Sequence, residues 1–186
     1  MEIDDIIRAC QKDDKLAREN LYLRYHRKMF AVCMYYSSGR AEAEDHLQDG
    51  FYHLFRKIKK YSFQGSFEGW MRRLFVNLIL QKYRQKKPLY NLTDCDFQDE
   101  STSYEHILEE ITAADLMDLI QELSPQYRVV FNLYAIEGYT HKEIAERLEI
   151  SVGTSKSNLS RARGILQNKI KTKFPEMYNV KSNGTR

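Results

Sequence analysis

A chain of 186 residues is long enough for one medium domain or two small ones, and 42 % hydrophobic with 30 % charged residues is the composition of a soluble, core-forming protein. The longest nearly apolar run, Leu74–Leu80, is interrupted by Asn77 and falls far short of the ~20 residues of a membrane helix. The acidic start Met1–Asp5 leads into no apolar stretch, which predicts a cytoplasmic protein without a secretory signal.

The net charge of +3 is segregated along the chain. Residues 1–87 carry 18 Lys/Arg against 11 Asp/Glu, residues 88–112 carry seven acids and no Lys/Arg, and residues 113–186 carry 11 Lys/Arg against eight acids. Two basic blocks joined by an acidic strip suit two surfaces for a polyanion and a connector repelled by it.

A short helix is expected from Asp5 to about Cys10. Three amphipathic stripes then follow the 3.6-residue period: Leu21, Tyr25, Met29, Val32 and Tyr36; Leu47, Phe51, Leu54, Phe55 and Ile58; and Phe67, Trp70, Leu74, Phe75 and Leu78. No comparable run alternates as a half-buried strand would. Pro88 ends the third helix at about Lys87. Leu89–Ser103 is polar, acidic and aperiodic, and a structureless stretch of that length reads as an interdomain linker.

Helices resume near Tyr104. Ser124 and Pro125 mark a helix start, with Ser124 at the N-cap and Pro125 at the first helical position, where no N–H is needed. Thr140-His141-Lys142-Glu143 is a capping box opening a helix to about Leu148 that buries Ile144, Ala145 and Leu148. A turn at Glu149-Ile150 leads to Ser151, a further N-cap. The helix after it carries Val152, Ser155, Leu159, Ala162 and Leu166 on its inner face. The fold class is therefore all-α, with two small helical domains at 1–88 and 107–175, an acidic linker at 89–106 and a tail at 176–186.

The last two helices read as a helix-turn-helix: a short first helix, a brief turn, and a longer basic second helix whose start enters a DNA major groove. Thr154, Lys156, Ser157, Asn158, Ser160 and Arg161 lie off its apolar face. Lys and Arg reach guanine acceptors or phosphates, and Asn pairs with adenine. Ser151 and Thr154 stand where helix-start amides hold a phosphate. The competing reading is an ordinary helical hairpin with a solvated charged face.

In the N-terminal block, the loop Tyr61-Ser62-Phe63-Gln64-Gly65 precedes a helix bearing Arg72, Arg73, Lys82, Arg84, Lys86 and Lys87. Aromatics that wall in an unpaired base, amides that read its edge and cations that hold the backbone are the ingredients for single-stranded DNA. Phe67 and Trp70 are better read as core residues. For Phe63 and Gln64, base contact and packing stand level.

Cys10, Cys33 and Cys95 lie far apart and read as free thiols. His46 and His53 are seven apart and lack neighbouring ligands, so no metal site and no cofactor are expected. No nucleophile with a base, glycine-rich phosphate loop or pocketed carboxylate pair points to an enzyme or a small-molecule substrate. Asp45 and Asp49, one turn apart, suit a partner's cations instead.

Taken together, the segments resemble a known family. Ala43-Glu44-Asp45-His46-Leu47-Gln48-Asp49-Gly50-Phe51 and Phe67-Glu68-Gly69-Trp70-Met71 through Asn77 are similar to region 2 of the extracytoplasmic-function (group 4) sigma factors of bacterial RNA polymerase. Leu123-Ser124-Pro125-Gln126-Tyr127-Arg128, Glu137-Gly138-Tyr139-Thr140-His141-Lys142-Glu143-Ile144-Ala145, and Gly153-Thr154-Ser155-Lys156-Ser157 through Arg161-Ala162-Arg163 resemble region 4. The segment Tyr61–Trp70 resembles Bacteroidetes members.

The resemblance implies that region 2 melts the −10 promoter element. The loop at 61–66 would capture a flipped base, and Tyr61, Phe63, Gln64, Arg73, Asn77, Lys82 and Arg84 would lie at the strand. It implies that Asp45, Gln48, Asp49 and Phe55 dock on the β′ coiled coil of core RNA polymerase. Region 4 would read the −35 duplex and touch the β flap, the linker would thread toward the active-site cleft, and an anti-sigma protein would restrain the whole. Asn158 stands where the family commonly has Arg, and Glu149 where its turn frequently has Gly. The rival reading is a stand-alone helix-turn-helix repressor or activator, with residues 1–87 as a dimerisation or sensing domain.

Overall fold

A computed structural model describes residues 2–86 and 112–175. The expected linker at 89–106, the helix end at Lys87, the helix restart near Tyr104, Cys95 and the tail at 176–186 lie outside the described residues. The chain divides into two compact units, Met1–Pro88 and Leu89–Arg186. Among the described residues every regular element is helical. The N-terminal unit contains α1 (Ile3–Gln11), α2 (Lys15–Tyr36), α3 (Arg40–Lys57), a 3-10 turn at Ile58–Lys60 and α4 (Phe67–Lys86). The C-terminal unit contains α5 (Ala113–Gln121), α6 (Pro125–Ala135), α7 (His141–Leu148) and α8 (Val152–Lys173).

The first helix starts two residues before its expected bound and ends one residue after it. The Asp14 carboxylate accepts the Ala17 N–H at 2.9 Å and so starts α2. The stripe Leu21, Tyr25, Met29, Val32 and Tyr36 is buried, joined by Ala17 and Cys33. On α3, Leu47, Phe51 and Leu54 are buried, Ile58 continues the stripe into the 3-10 turn, and Phe55 is only half-buried. Each fully buried Leu, Ile or Met contributes about 1.5–3 kcal/mol over its exposed state.

The third stripe is corrected. Phe67 and Phe75 are buried, but Trp70, Leu74 and Leu78 are half-buried, and Met71, Val76, Ile79 and Leu80 take the deep positions. α4 packs on both α2 and α3, so its buried arc is wider than a single stripe and turned relative to it. Gly50 lets α3 and α4 approach closely: a Cβ there would lie 2.1 Å from the edge of the Phe75 ring. The buried cysteines are free thiols, and desolvation pushes Cys10 up to about 11 and Cys33 up to about 12.

In the C-terminal unit Thr112 caps α5 by accepting the Asp115 N–H. Buried Arg128 donates to the Gln121 and Leu123 carbonyls at 2.9 and 2.7 Å, which closes the end of α5. Pro125 occupies the first turn of α6, while Ser124 is an N-cap by backbone position and makes no side-chain capping bond. The capping box of α7 is complete: Thr140 Oγ1 accepts the Glu143 N–H, and Glu143 accepts the Thr140 N–H at 2.8 Å.

Candidate nucleic-acid interface

Glu149 turns the chain between α7 and α8 in the left-handed conformation, φ 56° and ψ 50°. Here a Glu does what glycine does without a Cβ penalty, at a cost of roughly 1 kcal/mol. The Ile150 N–H then bonds the Ala145 carbonyl, and Ser151 caps α8 by accepting the Thr154 N–H at 2.9 Å. Ser155, Leu159, Ala162, Leu166 and Ile170 are the buried side of α8. Val152 is not on it, being 43 % exposed. It occupies the first helical position, where the Cβ tilt toward the N-terminus carries the side chain past the packed face.

Two contacts of His141 tie α7 to its neighbours α8 and α6. His141 Nδ1 lies 3.0 Å from the Ser155 hydroxyl, and its ring stacks on Tyr134 of α6 at 4.8 Å between centroids. The Arg163 guanidinium lies over the other partner of that stack, Tyr134, at 5.5 Å. Burial first, and the charges of Lys156 and Arg163 next, hold the His141 imidazolium pKa below the ordinary 6.5.

The face of α8 away from the core carries the residues expected to meet duplex DNA. Ser151 and Lys156 are exposed; Thr154, Ser157, Asn158 and Arg161 are half-buried. The Thr154 amide is occupied by the Ser151 hydroxyl, the expected N-cap, which also lies 2.8 Å from Thr154 Oγ1. Ser157 Oγ donates to the Thr154 carbonyl.

The loop between the 3-10 turn and α4 is tightly built. Phe63 has a left-handed backbone, φ 61°, and Gly65 follows at φ 77°. Tyr61 is buried, and its hydroxyl donates to the Gly65 carbonyl at 2.7 Å. Its ring contacts Phe63, Phe67 and Trp70 at 5.1–5.3 Å. Tyr61 is thus a packing post, while Phe63 is half-buried and Gln64 exposed. Arg73 and Asn77 are exposed on α4; Lys82 and Arg84 are half-buried further along it. Arg73 donates to the Gly69 carbonyl at 3.2 Å.

Asp45 and Gln48 are exposed on α3, Asp49 and Phe55 half-buried. The Asp49 carboxylate pairs with the Lys82 ammonium, so a residue expected to dock on a protein and one expected to hold DNA touch each other. The Arg18 guanidinium lies 5.8 Å from the Phe55 ring. His46 is buried with Glu42 at 4.0 Å.

Sequence reasoning missed the first helix as a support of the loop. Gln11 Nε2 donates to the carbonyls of Ile58 and Tyr61, at 3.0 and 2.9 Å. Arg8 lies over the Phe63 ring at 4.4 Å, and Asp13 pairs with Lys59 at 2.6 Å. These partners are 46 to 55 residues apart in the chain, so no local pattern could have signalled them.

Residues 21–88 match the family described as Sigma-70 region 2, and residues 113–166 match Sigma-70, region 4. The ECF RNA polymerase sigma factor SigW of Bacillus subtilis is 28 % identical over 183 residues, covering 92 % of this chain and 98 % of its own. The chain belongs to the extracytoplasmic-function sigma factors of the sigma-70 family. The ECF RNA polymerase sigma-E factor of Haemophilus influenzae is 27 % identical over 89 % of this chain and 93 % of its own. Among solved structures, the sigma factor RpoE in complex with the anti-sigma factor NepR from Bartonella quintana aligns at TM-score 0.49 and 20 % identity, over 82 % of this chain and 96 % of that one.

As a sigma factor, the chain directs transcription initiation by RNA polymerase, a non-enzymatic role. The region 2 match over residues 21–88 displaces the stand-alone repressor, which left that block to dimerisation or sensing. Among the described residues no helix is long and apolar enough to cross a membrane.

Proposed function

We propose that this sigma factor opens promoters by capturing an unpaired −10 base in the 61–66 loop and reads the −35 duplex with the start of α8. The observation that carries the first half is the left-handed Phe63. Exposed Gln64 follows it in the loop, and Arg73 is exposed on α4. An amide that reads a base edge, a ring beside it and cations for the backbone are the groups that such a capture requires. Lys156, Asn158 and Arg161, with Ser151, Thr154 and Ser157 at the helix start, serve the −35 side. Phosphate contact at α8 falls to the amides ahead of Thr154, whose own N–H is taken.

Asp45, Gln48, Asp49 and Phe55 form the docking face for the β′ coiled coil of core RNA polymerase, and the C-terminal unit touches the β flap. The two units act as separate domains, 1–88 and 107–175, with the five acids of the 89–106 connector between them steering clear of DNA. An anti-sigma protein is the restraining partner that the family implies. The Tyr61–Trp70 segment supports a place among Bacteroidetes-type group 4 members.

The test is promoter opening by the reconstituted holoenzyme, read by permanganate reactivity of unpaired thymines alongside promoter binding. Phe63→Ala and Gln64→Ala are expected to lower opening more than recruitment. Equal loss of both would argue against a base pocket.

A further inference from the structure

We propose that Arg8 and Gln11 on the first helix, with Asp13 in the turn after it, are positioning residues for the 61–66 loop, holding it in the shape that captures an unpaired base. The proposal rests on the reading of that loop given above and names what keeps it preorganised.

The loop is held from outside as well as from within. A left-handed Phe costs roughly 1 kcal/mol, and the internal bond from the Tyr61 hydroxyl to Gly65 fixes only one side of it. Further anchors come from α1 and the turn after it. A carboxamide has two N–H donors. Gln11 directs its amide nitrogen at the carbonyls of Ile58 and Tyr61, the start of the 3-10 turn and the first residue of the loop. One side chain therefore sets the angle at which the chain enters the loop. Arg8 lies over the Phe63 ring, a cation–π contact that favours the ring's position without burying it. Asp13, itself left-handed at φ 67°, accepts from Lys59 at 2.6 Å and from Arg18 at 2.5 Å, tying the turn after α1 to the 3-10 segment.

None of these groups is needed to seat α1. Ile6, Ile7 and Cys10 are buried and do that. Arg8 and Asp13 are exposed and Gln11 half-buried. The apolar side of the helix holds the fold; its polar side is spent on the loop. Loss of Arg8 or Gln11 should leave the unit folded and the loop free to leave its base-ready conformation, so that part of the binding energy goes into ordering it again.

The experiment uses the full chain reconstituted with core RNA polymerase from the encoding organism. The probes are two single-stranded oligonucleotides with the −10 sequence recovered by transcription of promoter pools, one intact and one abasic at the captured position. The wild-type holoenzyme is expected to prefer the intact strand by about tenfold or more, the scale of a stacked base. Gln11→Ala and Arg8→Ala should each lower that preference about fivefold, the scale of a lost hydrogen bond. Affinities for the abasic strand and for core polymerase should stay unchanged. Arg8→Lys, which keeps the cation over the ring, should restore most of the preference. A wild-type preference that survives intact in both alanine variants overturns the positioning role and leaves the loop reading standing. No preference in the wild type defeats the loop reading, and the positioning role with it. Arg8, being exposed, keeps the test decisive should Gln11→Ala unfold the helix.

Discussion

The Lys82 ammonium is paired with the Asp49 carboxylate across the α3–α4 contact. With side chains 34 % and 49 % exposed, the pair is a surface one and contributes about 0–1 kcal/mol. Its significance is that it joins the proposed polymerase-docking face to the proposed DNA face. Reversing charge with Asp45→Lys and Asp49→Lys together is expected to cut core-polymerase affinity at least about tenfold at low salt. The unfolding midpoint should move by no more than about 1 kcal/mol, as suits an exposed pair. Titration of labelled core with the variant checks this; undiminished affinity would put the docking face elsewhere.

Gly50 is a packing residue. Its missing Cβ leaves the space that the Phe75 ring fills, and that ring also meets Phe51 edge-on at 5.4 Å between centroids. Gly50→Ala is expected to destabilise the N-terminal unit by about 1–3 kcal/mol through overpacking. Chemical denaturation of the full chain should show that loss in the transition of this unit alone. An unchanged midpoint would mean that α3 and α4 separate freely.

On α8, Arg161 is half-buried, with its side chain at the margin between the core and the proposed DNA face. Arg161→Ala is expected to weaken −35 duplex binding by about 1–3 kcal/mol and to relax preference at one base position. Footprinting of the holoenzyme over a set of single-base promoter variants measures both. A uniform loss across all variants would identify a phosphate contact instead.

The imidazole of His141 gives the C-terminal unit a pH dependence of known sign. Burial, then Lys156 and Arg163, depress its folded-state pKa below the 6.5 expected unfolded. Between those two values the unfolded chain binds more protons, so stability rises with pH there. The contribution is intact above 6.5 and is lost as pH falls from 6.5 through the folded value. Urea midpoints between pH 8 and 5 should trace that decline, and His141→Gln should flatten it.

Much of this was legible in the residues because it is local. The stripe from Leu21 to Tyr36, the Thr140–Glu143 capping box and the Ser151 cap depend on neighbours three or four positions away, and all are present. What escaped is non-local or concerns ends and surroundings. α4 is packed from two sides, which the Phe67–Leu78 stripe could not express, and Val152 leaves the core because it begins its helix. The loop was visible as composition, but its anchors, Arg8 and Gln11, stand on and just beyond a helix expected only as a short run from Asp5 to about Cys10. Glu149 takes a glycine-like backbone that its identity disfavours, because the turn between α7 and α8 requires it.

The most direct measurement is run-off transcription with the purified chain, sigma-free core RNA polymerase and a pool of promoter fragments. Discrete transcripts are expected that appear only with this chain, share one −35 and one −10 sequence, and fade with Phe63→Ala and Gln64→Ala. No dependent transcript, together with tight polymerase-independent binding to a palindromic duplex, would contradict that expectation.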